Sequence, residues 1–116
     1  MQPTMKESEF NQRVDDILEA IEEALEASDA DMDWDLVGGI LTIVCDDDAQ
    51  YPGSQVIINR QGPTQQIWVA ARSGGYHLDY DAAADCWRQD SLELFALLSQ
   101  ALSEQIGETI KLAPAA

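Results

Sequence analysis

The sequence predicts an α+β two-layer sandwich, with two terminal helices packed on one face of an antiparallel sheet of about six strands. Three observations carry that expectation. Apolar residues recur at helical period near both ends, the middle of the chain alternates apolar and polar residues, and Gly-Gly, Pro-Gly and Gly-Pro pairs punctuate the alternating part. Two helices flanking a meander must bury their apolar stripes, and one sheet face is the only large apolar surface on offer; the opposite face then meets water. With 116 residues, the chain reads as one domain, 1–116, with a core from about 8 to 110. A domain of that size buries roughly two thirds of its unfolded surface without disulfides.

The first helix is expected to be capped by Ser8, with Glu9 in its first turn, and to run to about Ala27. Phe10, Val14, Ile17, Ile21, Ala24 and Leu25 form its apolar stripe. After Ser28 the period changes to two: Met32, Trp34 and Leu36 alternate with Asp31, Asp33 and Asp35, as in a strand with one wet face. Gly38-Gly39 is a hairpin signal, because both residues accept positive φ. Strands follow at Ile40–Cys45, Gln55–Arg60, Gln65–Ala71, Gly74–Tyr80 and Cys86–Gln89, with residues 46–54 as a loop. Asp90-Ser91 offers a cap for a second helix carrying Leu94, Phe95, Leu98, Leu102 and Ile106 on one side, and the tail from Lys111 is expected to fray.

The charge pattern is the strongest functional signal. Lys and Arg number 6 against 22 Asp and Glu, a formal net charge of −16. Binding of nucleic acid through phosphates, or of an anionic membrane, needs a basic surface and is excluded. The expected partners are cationic. At 100° per residue Asp15, Glu19, Glu22 and Glu26 share a narrow sector of the first helix, flanked by Asp16 and Glu23. Asp29, Asp31, Asp33 and Asp35 follow. Like charges at this spacing destabilise by about 0.2–0.5 kcal/mol per pair, a loss that an external cation would offset. Carboxylates are hard ligands for Fe²⁺, Fe³⁺, Mn²⁺, Ca²⁺ or Mg²⁺, and nothing here selects zinc or cuprous ion. The site is expected to be weak and unselective; the plainer alternative is a solvated acidic face. The spacing "DADMDWD" lacks the glycine and terminal Glu of an EF-hand.

Other chemistry finds little support. His77 alternates outward with Asp79 and has no nucleophile beside it, and the two Gly-Gly pairs read as turns rather than phosphate cradles. No enzyme is expected. Cys45 and Cys86 are read as buried small hydrophobes in a reducing compartment, and no apolar run suits a leader or a membrane span. A soluble cytoplasmic protein follows. In "QQIWVAA" the period of two puts Trp68 on the polar sheet face, either as an interface anchor or packed flat on neighbours such as Asn59. A purely acidic interaction domain that binds metal only incidentally is the competing function. A DNA mimic is disfavoured because the acids lie on one side.

The run "INRQGPTQQIWVAARSGGYHLDYD", Ile58 to Asp81, preceded by the hairpin "LVGGILTI" and by "SEF" opening an acidic helix, resembles bacterial frataxin of the CyaY type. The resemblance implies a two-helix, six-strand sandwich and a role in iron–sulfur cluster assembly, with docking on a cysteine desulfurase and its scaffold protein. It implies iron binding, as Fe²⁺ or Fe³⁺, by Glu22, Glu23, Glu26, Asp29, Asp31, Asp33 and Asp35. Glu22, Glu26, Asp31, Asp33, Asn59 and Trp68 become partner contacts, on a monomer that metal could drive into oligomers. Asn11 and Gln65 stand where some members have histidines, leaving His77 as the sole imidazole.

Overall fold

Residues 32–93 form one antiparallel meander in which each strand pairs with the next. The computed structural model describes residues 5–28 and 32–114. The strands are β1 (Met32–Val37), β2 (Ile40–Cys45), β3 (Gln55–Gln61), β4 (Gln66–Ala71), β5 (Gly74–Asp81), β6 (Cys86–Gln89) and β7 (Leu92–Glu93). Helices α1 (Glu7–Ala27) and α2 (Leu94–Ile106) bracket them. Register follows parity: Leu41 pairs with Ile58, Ile58 with Val69 and Val69 with Tyr76, so one face collects the apolar side chains. That face supplies Leu41, Ile43, Val56, Ile58, Ile67, Val69, Leu78 and Trp87 to a core shared with Phe10, Val14, Leu18, Ile21 and Leu25 of α1 and Leu94, Leu98 and Leu102 of α2. The expected sandwich is what forms.

The β1–β2 hairpin turns on Gly38 and Gly39, both at positive φ. The positive φ at Gly39 favours glycine, and a Cβ there would also crowd the Arg60 guanidinium at 3.3 Å. Several details depart from the sequence expectation. Helix α1 starts one residue before Ser8, with Lys6 at the N-cap position and no side-chain cap. Gln65 holds that end instead: its Nε2 donates to the Met5 carbonyl at 2.6 Å and its Oε1 accepts from the Met5 N–H at 2.9 Å. Leu18 is buried where the expected stripe had Ile17, which is half-buried. The sheet gains a seventh strand, made possible by Asp90 turning through φ 54°. The cap of α2 is Glu93, whose carboxylate accepts from the Phe95 and Ala96 N–H groups, and not Asp90 or Ser91.

The C-terminal segment is also not frayed at Lys111–Leu112. Ile110 and Leu112 are buried, and Ser103 and Ser99 on α2 each bond both backbone groups of these residues, N–H and C=O. Residues 46–54 form the expected loop and dock on the end of α2, where Gln50 and Tyr51 N–H donate to the Ile106 and Gln105 carbonyls. Gln105 is the one buried polar side chain among the described residues; it donates to Ser54 Oγ and the Gln55 carbonyl and accepts from the Arg72 N–H. Its amide group is thus satisfied at both ends. Cys45 is buried as expected, whereas Cys86, one residue out of phase with core Trp87, is only half-buried.

Candidate metal-binding ridge and sheet face

Helix α1 carries Asp15, Glu19, Glu22 and Glu26 on one side because positions 4, 7 and 11 residues on return to the same face. Asp15, Glu19, Glu23 and Glu26 are exposed, and Glu22 is half-buried. Asp33 and Asp35 are exposed on β1, while Met32 and Trp34 pack toward the core. Alternation therefore aims the two strand acids from the sheet face opposite the helices. The helix acids and the strand acids therefore lie on two different elements, α1 and the edge strand β1. Asp29 and Asp31 lie outside the described residues.

Cations are distributed to match. Arg60 of β3 reaches α1, where its guanidinium bonds Asn11 Oδ1 at 3.0 Å and pairs with Asp15. Arg13 pairs with Glu9 and Asp85, Arg72 with Glu104, and Arg88 with Asp81. Among the described residues no cation pairs with Glu19, Glu22, Glu23, Glu26, Asp33 or Asp35. Asp15 thus differs from the other ridge acids, since a metal there would compete with a guanidinium. No three Asp, Glu, His or Cys side chains among the described residues converge as a ready metal cage. A set of oxygen donors, unpaired and spread along a surface, fits weak binding of hard cations, one or two carboxylates at a time with water completing the shell.

The second site is the outer sheet face. Asn59, Trp68 and His77 stand side by side on β3, β4 and β5. Trp68 is half-buried rather than fully exposed, because the His77 ring stacks on it at 4.2 Å and 14°. Its Nε1 donates to Gln66 Oε1 at 2.9 Å, and Gln66 Nε2 donates to Asp79 at 3.0 Å. The indole is thereby fixed flat beside a shallow depression of about 190 Å³ lined by Ile57, Asn59, Ala70 and Gly75. Val37 and Ile40, 64% and 43% exposed, extend the apolar area to the hairpin tip. Sequence reasoning missed these two, although their parity matches that of Asn59.

The frataxin-like domain model matches residues 3–108. The chain belongs to the frataxin-like family. Among curated relatives, the iron–sulfur cluster assembly protein CyaY of Pseudomonas aeruginosa is 43% identical over 109 residues, covering 92% of this chain and 96% of that one. The CyaY protein of Vibrio vulnificus is 40% identical over 106 residues, covering 91% and 97%. Frataxin from Psychromonas ingrahamii superimposes with a TM-score of 0.80 at 36% identity, over 94% of this chain and 99% of that structure. Yeast frataxin shares the fold, with a TM-score of 0.59 at 23% identity, over 92% and 93%.

A third polar cluster in this frataxin-like chain has no counterpart in the sequence expectations. Tyr80 donates its hydroxyl proton to Asp85, accepts from Arg13 Nη1 at 2.9 Å and lies under the Arg13 guanidinium at 4.5 Å, beside a cavity of about 270 Å³. The hydrogen bond to Asp85, helped by burial and opposed by Arg13, raises the Tyr80 pKa above its ordinary 10.0. Because the folded state holds this proton more tightly, the contribution is complete below about pH 10 and is lost as pH rises through the folded pKa. Ultraviolet titration is expected to show late ionisation of the Tyr80 phenol in the native protein. Asp85→Asn should bring it back toward the ordinary value; a late phase that survives this substitution would assign it elsewhere.

Proposed function

We propose that this chain is a non-enzymatic, iron-binding protein of iron–sulfur cluster assembly, acting as regulator of a cysteine desulfurase, as iron carrier, or both. The observation that carries the reading is the row of acids, Glu19, Glu22, Glu23, Glu26, Asp33 and Asp35, left without cations while four arginines are paired elsewhere. The relatives' names supply the pathway. Glu22, Glu23, Glu26, Asp33 and Asp35, with Asp29 and Asp31, would hold Fe²⁺ or Fe³⁺; Glu19 extends the set and Asp15 is its weakest member because of Arg60. Glu22, Glu26, Asp31 and Asp33 would meet the desulfurase, and Asn59 and Trp68 the desulfurase or its scaffold protein. This reading entails a soluble cytoplasmic protein, and no helix among the described residues is long and apolar enough to cross a membrane.

Titration with Fe²⁺ is expected to broaden amide NMR signals from about Glu19 to Asp35 and to spare α2. Excess Ca²⁺ or Mn²⁺ should compete, since flexible oxygen donors discriminate poorly. Replacing Glu22, Glu26, Asp31 and Asp33 by their amides should weaken iron binding and raise stability by about 0.2–0.5 kcal/mol per relieved repulsion. Uniform broadening along the chain would refute a ridge site.

The absence of a converging cage among the described residues favours a second reading, an acidic interaction domain for which metal is incidental. The two readings part on one measurement. Under the second, binding to the desulfurase is the same with and without iron.

A further inference from the structure

The two ends of the sheet differ. Strand β7 is two residues long and continues into α2, whereas β1 is six residues long and, among the described residues, pairs with β2 alone. Its pairing runs without a bulge from Met32 opposite Cys45 to Val37 opposite Ile40, and no Pro or Gly interrupts it. A row of β1 backbone N–H and C=O groups therefore faces off the sheet. Proteins protect such edges with short strands, bulges, prolines, a covering element or charge. Of these, β1 uses charge: Asp33 and Asp35. Beside them Leu36, Val37 and Ile40 are the only exposed large hydrophobic residues among those described.

We propose that β1 is an acceptor edge for a basic extended segment of a protein partner, which adds to the sheet as an eighth strand. The added strand would set Lys or Arg side chains against Asp33 and Asp35 on the outer face. Its alternate, apolar side chains would extend the Trp34 and Leu36 row on the inner face. Charge decides the occupant. A second copy of this chain, itself at −16, would bring acids against acids across the new pair, which is destabilising, whereas a basic strand gains opposite-charge pairs at the same positions. The inference rests on the proposed docking of the acids on a basic partner and adds backbone pairing to it.

An eight-residue peptide of alternating Lys and Val tests this, compared with the same peptide N-methylated at its four central amides. Methylation removes strand donors and keeps the charge. At low ionic strength the unmodified peptide is expected to slow hydrogen exchange of the off-sheet amides in Met32–Val37 by about tenfold or more, and to bind at least about tenfold more tightly than the methylated one. Asp33→Asn with Asp35→Asn should weaken both peptides. Equal binding of the two peptides without protection of β1 overturns strand addition and leaves docking by charge standing. If neither peptide binds at low salt, strand addition and docking by charge both fall. Dimers of the protein formed through β1 without peptide would assign the edge to a second copy and overturn the proposal.

Discussion

Deleting residues 110–116 is expected to lower the unfolding free energy by about 2–4 kcal/mol and the midpoint of thermal unfolding by about 10 °C or more. Burial of Ile110 and Leu112, 7% and 4% exposed, is worth about 1.5–3 kcal/mol each, and part of this is offset by the cost of ordering the segment. Ser99 and Ser103 decide how the segment lies. Ser103 Oγ accepts from the Ile110 N–H at 2.8 Å and donates to its carbonyl at 3.0 Å; Ser99 Oγ accepts from the Leu112 N–H at 2.9 Å. Ser99→Ala with Ser103→Ala should therefore reproduce about 1–3 kcal/mol of the loss with every apolar atom in place, by stranding two backbone N–H groups. Urea unfolding of the three proteins gives the comparison. A truncated protein as stable as the full chain would mean that the segment merely lies on α2 without contributing.

This segment also shows where sequence reading stops. Lys111 to Ala116 has no period and is rich in Ala and Pro, so local rules expect fraying. The groups that anchor its start lie on α2, at positions whose own sequence context announces only a helix. The same holds for Asp15, which joins the ridge by helical spacing but is matched by Arg60, 45 residues away. Strand β7 is two residues long and owes its pairing to a backbone turn at Asp90, so alternation could not reveal it. The legible parts are the periodic ones. The α1 stripe repeats along the whole helix and fixes which of its positions carry the acids. Parity along β4 is enough to set Trp68 opposite the core. Parity along β1 likewise separates Asp33 and Asp35 from Met32 and Trp34.

Under the proposed function, Trp68→Ala is expected to weaken binding to the assembled desulfurase and scaffold by about 2 kcal/mol or more, seen mainly as faster dissociation. The indole is already held flat by His77 and by its bond to Gln66, so little side-chain freedom remains to be lost on docking. Neutralising Glu22, Glu26, Asp31 and Asp33 should behave differently. Exposed charges act through a field screened over about 8–10 Å at physiological salt, so their loss should slow association and remove most of its salt dependence. Trp68→Phe separates anchoring from local packing: it keeps a ring for His77 to stack on and should recover part of the affinity, whereas Trp68→Ala also frees the imidazole. Amide exchange on β4 and β5 checks that neither variant loosens the sheet. Kinetics of the three variants across a salt series, with and without scaffold protein, then assign each surface its role. A Trp68→Ala protein that folds and dissociates at the parental rate from the complete assembly would return the indole to ordinary packing with His77, leaving the acids as the whole docking surface.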